Sequence, residues 1–514
     1  SRRQRQMCIR DRYYIILSIL LSLTSCNSWL DVTPQGQMEA TDMLSSEKGY
    51  NSALGGVYYT LSSSSMYGKE LSYGMMDLLA QYWDISNNTS HSYYKLSQYD
   101  YKDANAISKF NAIWKGFYSA ISQCNLIISS IEKNRSSIKY SELIEGEAYG
   151  LRAFAHMELF RMFGPVIKSE ADLDKPAIAY RTELNTEAQK FESGREILAK
   201  VNTDLTKALE LMKDDPIKTI GRKGDLNTSR LDYNEVVNRR GSRMNYYGVL
   251  GLLARLEQLR LNQDQAYIYA KRVIDEVEET KAITLIDKTN IESTVDSWKD
   301  LNYSCEMLFS LYTNNLYEMT NAVFYMDGES GDSRTSFGIT TNLYTTFLNE
   351  IYGRTPDGAG TDNRRRYWFK LREGGEYYEI LKLKKAPEAQ GLSAAYDPEV
   401  PIMRLPEIYY IACEAQIGKD NDLALSYLNA VRETRNLVKL EGSLSAEELR
   451  EYLMRDERKE FIGEGCMFLF YKRLFASIYV KQGVVIAPLD ANFVFPIPDA
   501  EYEYSPNELS LIHI

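Results

Sequence analysis

Histidine is nearly missing from this chain: 514 residues contain only His91, His156 and His513. That scarcity excludes a multi-histidine metal centre and an HExxH metalloprotease. Cysteine is also sparse, with six copies and no CxxC pair. Away from the N-terminal segment, Cys124, Cys305, Cys413 and Cys466 remain, three of them inside apolar-periodic stretches. They read as buried thiols rather than redox centres or zinc ligands, with one long-range disulfide left open. There is no Walker loop and no GxSxG, and Gly358-Ala359-Gly360 runs into a charged stretch, which makes it a turn rather than a dinucleotide fingerprint. Basic residues are outnumbered by acidic ones, 60 to 71, for a net charge of -11. A polyanion is therefore a poor partner for the body, and nucleic-acid binding is not expected.

The uncharged stretch from Tyr13 to Leu23 is too short for a spanning helix, which needs about 20 apolar residues. Arginines precede it and small residues follow, the layout of a secretory signal peptide. Leu23-Thr24-Ser25-Cys26 then resembles a bacterial lipobox, in which Cys26 is lipidated and becomes the mature N-terminus. The expected organisation is a signal peptide over 1–25, a single domain over 26–507 and a short tail over 508–514. Both extremities, SRRQRQMCIRDR and SLIHI, read as foreign to the gene.

Helical periodicity dominates the interior. Apolar residues recur at i, i+3, i+4 spacing from Ile107 to Ile131 and again from Leu143 to Phe163, where Gly164-Pro165 stops the pattern. These two stripes predict an antiparallel hairpin. Further helices are expected near 191–213, 243–261, 264–279, 404–418, 421–437 and 446–475. Ala254, Ala266 and Val273 share their spacing with Ala412, Ala424 and Val431, the small-residue logic of a stacked tetratricopeptide unit. The fold class is therefore mainly α, a helix-pair superhelix with irregular loop-rich stretches between its parts.

What the chain has in excess is tyrosine, with 39 copies. A tyrosine offers a ligand an apolar face and a polar tip. Many lie in two long irregular stretches, 60–105 and 295–370. Loops of such length are usually functional or disordered, and aromatic content argues against disorder. The candidate ligand contacts are Trp83, Tyr82, Tyr93 and Tyr94 from the first stretch, and Trp298 and Tyr317 from the second. Asp327-Gly328-Glu329-Ser330-Gly331-Asp332 offers oxygen ligands to calcium but departs from the EF-hand pattern, so no metal or cofactor is expected.

Several motifs, in order, resemble the SusD/RagB family of outer-membrane nutrient-uptake lipoproteins. Cys26 to Pro34 (CNSWLDVTP) is similar to its "C-x-x-x-L-D-x-x-P" opening, and Glu147 to Phe154 (EAYGLRAF) to "E-A-x-x-L-R-A-F". Arg404-Leu405-Pro406-Glu407 with Glu414-Ala415 resembles "R-x-x-E…A-E-A", although Cys413 stands where alanine is usual. Leu428 to Arg432 matches "L-N-x-V-R", and Glu457-Arg458 with Glu460, Glu464 and Gly465 is similar to "E-R-x-x-E…E-G", with one residue fewer between Arg458 and Glu460. Phe495-Pro496-Ile497-Pro498 is the usual near-terminal segment.

The resemblance implies a superhelix of four tetratricopeptide-like pairs and a non-catalytic role. Such a protein is anchored by lipid at the cell surface, binds an oligosaccharide, caps a SusC-like TonB-dependent transporter and presents ligand to it. Peptides or another small nutrient are the alternative cargo. A hydrolase using paired carboxylates is the third reading. Against it, Glu457, Arg458, Glu460 and Glu464 fall at helical spacing and read as an ion-pair network, with Arg152 and Arg404 as structural partners of buried carboxylates.

Overall fold

A computed structural model describes residues 43–503, apart from 84, 86–87, 186, 223–233, 293–298, 325–336, 338, 341–347, 349–350, 354–359, 372–376, 384–397 and 482. Cys26, Trp298, the Asp327–Asp332 loop and both chain extremities lie outside the described residues.

The first helix, α1 (Glu47–Leu61), begins where the Ser46 hydroxyl accepts the Gly49 N–H. The sequence reading passed over it, because three glycines dilute its helical propensity. Its buried stripe of Tyr50, Leu54, Val57 and Leu61 carries the signal instead. The expected hairpin follows as α2 (Ala104–Asn134) and α3 (Ser141–Phe163). Asp103 caps α2 by accepting the Asn105 and Ala106 N–H groups. Helix α3 is buried on nearly every side and runs through the centre of the body. It is followed by α4 (Gly194–Leu211), opened by a Ser193/Glu196 capping box. Then come α5 (Tyr246–Leu259), α6 (Gln263–Thr280), α7 (Leu405–Gln416) and α8 (Asn421–Thr434). Each helix from α1 to α8 packs on the next, and α9 (Ala446–Glu460) closes against α7 and α8. This is a superhelical arc of helix pairs. Ala254, Ala266, Val273, Ala412, Ala424 and Val431 are all fully buried, at the contacts their shared spacing anticipated.

The helix expected over 446–475 is in fact two, α9 and α10 (Met467–Leu474). Gly463 and Gly465 between them adopt left-handed backbone, with φ of 83° and 73°. A side chain at 465 would drive into the Leu71 carbonyl. Both glycine N–H groups donate to one buried carboxylate, Asp77, at 2.6 and 2.9 Å. Burial pushes Asp77 up to about 8, against the pull of those two donors.

Among the described residues strands are few and short. An antiparallel ribbon of β1 (Met307–Tyr312) and β2 (Glu399–Arg404) runs directly into α7. A hairpin of β3 (Ile478–Lys481) and β4 (Val484–Ile486) follows α10.

Where ribbon, helices and loops meet, four cations (Arg364, Lys382, Arg404, Arg435) face four carboxylates (Glu306, Asp362, Glu460, Glu464) in the interior. Arg404 reaches Glu306 at 2.8 Å and Glu460 at 2.7 Å. Arg435 reaches the same two at 2.7 Å each, and Arg364 holds Glu460 at 2.8 Å. Burial alone would raise the Glu460 carboxyl, but Arg435, Arg404 and Arg364 together hold it well below the carboxylate range. Glu460 and Glu464 of the motif thus find partners on distant segments rather than on adjacent turns of one helix. Arg152 behaves alike, gripping Asp204 through two 2.7 Å bonds. Arg364, the first of three consecutive arginines over 364–366, is an internal ion-pair donor.

Candidate ligand-binding surface

The last four carbonyls of a helix have no partner within it. At the buried end of α9, the first is met by the Phe461 N–H and the other three by side chains from outside the helix. The Tyr82 hydroxyl donates to the Arg458 carbonyl at 2.6 Å and the Tyr352 hydroxyl to that of Lys459 at 2.8 Å. The Arg404 guanidinium donates to that of Glu460 at 3.0 Å. Tyr82 is therefore fixed from both sides, since the Arg458 guanidinium also lies 5.3 Å from its ring centre.

Trp83 continues inward. Its indole N–H donates to the Tyr73 carbonyl at 2.7 Å, and its ring lies edge-on to Phe324 at 5.0 Å and stacked on Phe337 at 6.2 Å. His91 and Tyr93 approach Phe337 at 5.6 and 5.2 Å. The Tyr93 hydroxyl donates to Glu70 at 2.6 Å, and Lys109 both pairs with Glu70 at 2.9 Å and sits 4.0 Å from the Tyr93 ring centre. Burial, reinforced by Glu70, keeps the Tyr93 hydroxyl protonated far above its ordinary range. These groups form an aromatic layer joining the first loop stretch to the second.

Tyr82, Trp83 and Tyr93 are each only 3% exposed. In this conformation no face of the three rings is open to a ligand, and their polar tips are engaged. Tyr94 and Tyr317 differ, for both are half-buried. Tyr94 opens the helical turn Tyr94–Ser97, directly after Tyr93. Tyr317 lies two turns before Phe324 on the helix Leu316–Phe324, whose end packs on Trp83. Trp298 cannot be placed on this layer, being outside the described residues.

Sequence reasoning missed His91, Phe324 and Phe337 as members of the layer. His91 entered only as a count against metal chemistry, and no local pattern marks the two phenylalanines. The carboxylates proposed for hydrolysis are closed off: Glu457, Glu460 and Glu464 are all buried, and the last two are locked in ion pairs. Among the described residues no group of three or more His, Cys, Asp or Glu side chains is arranged to hold a metal ion. Cys124, Cys305, Cys413 and Cys466 are all free thiols, and burial pushes Cys124 up to about 12.

Two family models match successive parts of the chain. One, described as "Starch-binding associating with outer membrane", covers residues 28–223, and the SusD family model covers residues 293–506. SusD-like protein P2 of Formosa agariphila is 22% identical over 95% of this chain and 96% of its own length. Among solved structures, a putative sugar binding protein from Bacteroides vulgatus matches with a TM-score of 0.64 at 20% identity, over 89% of this chain and 96% of that one. A SusD-like carbohydrate binding protein from the same organism also gives 0.64, at 16% identity, covering 90% and 99%. The helix-pair superhelix, the order of its motifs and these matches agree, and the chain belongs to the SusD family of glycan-binding, outer-membrane-associated proteins.

Proposed function

We propose that this protein is a non-catalytic glycan receptor, held at the outer cell surface by lipid on Cys26, that caps a SusC-like TonB-dependent transporter and hands oligosaccharide to it. The observation that carries this reading is the division within the aromatic layer. Tyr82, Trp83 and Tyr93 form a buried backing, while Tyr94 and Tyr317 beside them are only half-buried. Sugar rings present apolar C–H faces to such aromatics, and a pre-formed platform loses little entropy on binding. Trp298 is proposed as a third contact. Several acyl chains at Cys26 would each contribute about 0.8 kcal/mol per buried methylene, enough for durable anchoring.

A glycan array with soluble protein starting at Asn27, followed by calorimetry on the Tyr94→Ala/Tyr317→Ala variant, tests the reading. One polysaccharide class should bind, and the double substitution should weaken it at least tenfold. Silence across the array from a helical, monodisperse sample would reject the glycan cargo and favour peptides.

A further inference from the structure

A second concave site lies away from the aromatic layer. It is a cleft of about 450 Å³ whose lining includes Tyr118, Ser122, Asn125, Arg181, Asn185 and Glu501. That volume falls within the about 300–1,000 Å³ of small-molecule sites. Lys109, which supports Tyr93, is on the same helix, α2. At about 100° and ~1.5 Å per residue, Tyr118, Ser122 and Asn125 lie on roughly the opposite face of α2, about 14–24 Å further along. The two sites are separate.

The cleft is built rather than incidental. One wall is the segment 179–181, held by three different side chains. The Tyr118 hydroxyl donates to the Ala179 carbonyl at 2.8 Å, and the Asn125 amide donates to the Arg181 carbonyl at 3.2 Å. The Arg181 N–H donates to His156 Nε2 at 3.0 Å. His156 is itself fixed, through Nδ1 to the Arg152 carbonyl at 2.9 Å and by stacking on Tyr180 at 3.7 Å. The rim is tied by Arg181, whose Nη2 donates to the Asn185 and Glu187 carbonyls at 3.0 Å each. Across the cleft, Glu501 accepts the Trp114 indole N–H at 3.0 Å.

The lining also selects a chemistry. Glu183, Glu187 and Glu501 outnumber the one cation, Arg181, whose Nη2 is occupied by loop carbonyls, so an anionic ligand is repelled. Asn125 already accepts from Arg152 and donates to the Arg181 carbonyl, and Asn185 accepts from the Glu187 N–H and donates to Glu183. The lining therefore meets a ligand mainly through the Ser122 hydroxyl and the three carboxylates, beside the Tyr118 ring. Carboxylates and a hydroxyl beside an aromatic ring match a ligand rich in hydroxyl groups. We propose that this cleft is a second binding site, taking an uncharged polyhydroxylated ligand such as a short neutral oligosaccharide. The ligand class rests on the glycan reading above; the location does not.

Hydrogen–deuterium exchange on the soluble chain, with maltohexaose, xylohexaose, mannohexaose and laminarihexaose as probes and pentalysine as the cationic alternative, tests it. At least one hexasaccharide should protect both 118–125 and 179–189. Ser122 is exposed, so Ser122→Arg fills the cleft without disturbing the core, and that protection should vanish at an unchanged thermal midpoint while Ser122→Ala retains it. Protection confined to the aromatic layer would overturn the second site and leave the proposed function standing. Protection of no segment by any hexasaccharide would overturn both. Protection of the cleft by pentalysine alone would overturn the ligand class.

Discussion

The helical arc and the aromatic loop layer both bury aromatic residues but tie their backbones differently. In the arc the helices satisfy their own amides, so side chains are left to pack, and small residues such as Ala254 and Ala412 let neighbours approach. In the layer regular elements are short, the stretch over 62–103 is held by turn bonds between its own backbone groups, and tyrosine hydroxyls add ties to further carbonyls. Tyr73 donates to the Gly68 carbonyl, Tyr82 to Arg458, Tyr99 to Leu79, Tyr101 to Asn492 and Tyr352 to Lys459. These five tyrosines are thus structural ties. Tyr94 and Tyr317 differ from these in being only half-buried.

The comparison is most easily broken at the ionic centre that joins the two regions. Arg404→Met strands Glu306 and Glu460 with fewer cations, and removing one partner of a buried pair typically costs about 3–5 kcal/mol. Denaturant unfolding should show that loss, whereas unchanged stability would remove the centre from its joining role.

Next in size is an acid effect on the arc. Burial lowers His156 from 6.5 to about 3, so the folded state binds fewer protons than the unfolded chain between those values. Its stabilisation is complete above about pH 6.5 and is lost as pH falls through about 3, at about 1.4 kcal/mol per pH unit between. The drop in unfolding midpoint from pH 7 to pH 4 should therefore be smaller in His156→Gln than in the wild type.

A third change sharpens the contrast directly. Tyr82→Phe leaves the buried Arg458 carbonyl without its donor and should cost about 1–3 kcal/mol. Tyr427→Phe, whose half-buried hydroxyl meets only that of Tyr267 among the bonds described, should cost less than about 1 kcal/mol. Smallest of all, Lys271→Ala removes an exposed i,i+4 pair with Asp275 and should change stability by no more than about 0.5 kcal/mol.

The arc was legible in the sequence because a 3.6-residue period and a cap are local signals. The ends of α4, α5, α6 and α7 fall within about three residues of where the apolar pattern placed them. The break between α9 and α10 was not legible, because it depends on Asp77, some 390 residues earlier, receiving two glycine N–H groups. For the same reason the ion pairs of Glu460 were assigned to its own helix although Arg364, Arg404 and Arg435 supply them. The aromatic stretches stand out in the sequence, but a tyrosine that caps a distant helix and one that is half-buried look identical there. Burial separates Tyr93 from Tyr94, adjacent residues of the same type.

That separation is open to a single paired measurement: unfolding free energy and glycan affinity for Tyr82→Phe and for Tyr94→Ala/Tyr317→Ala. The account expects the first variant to lose stability while keeping its affinity, and the second to lose affinity while keeping its stability. The reverse pattern, with Tyr82→Phe losing affinity at full stability, would contradict it.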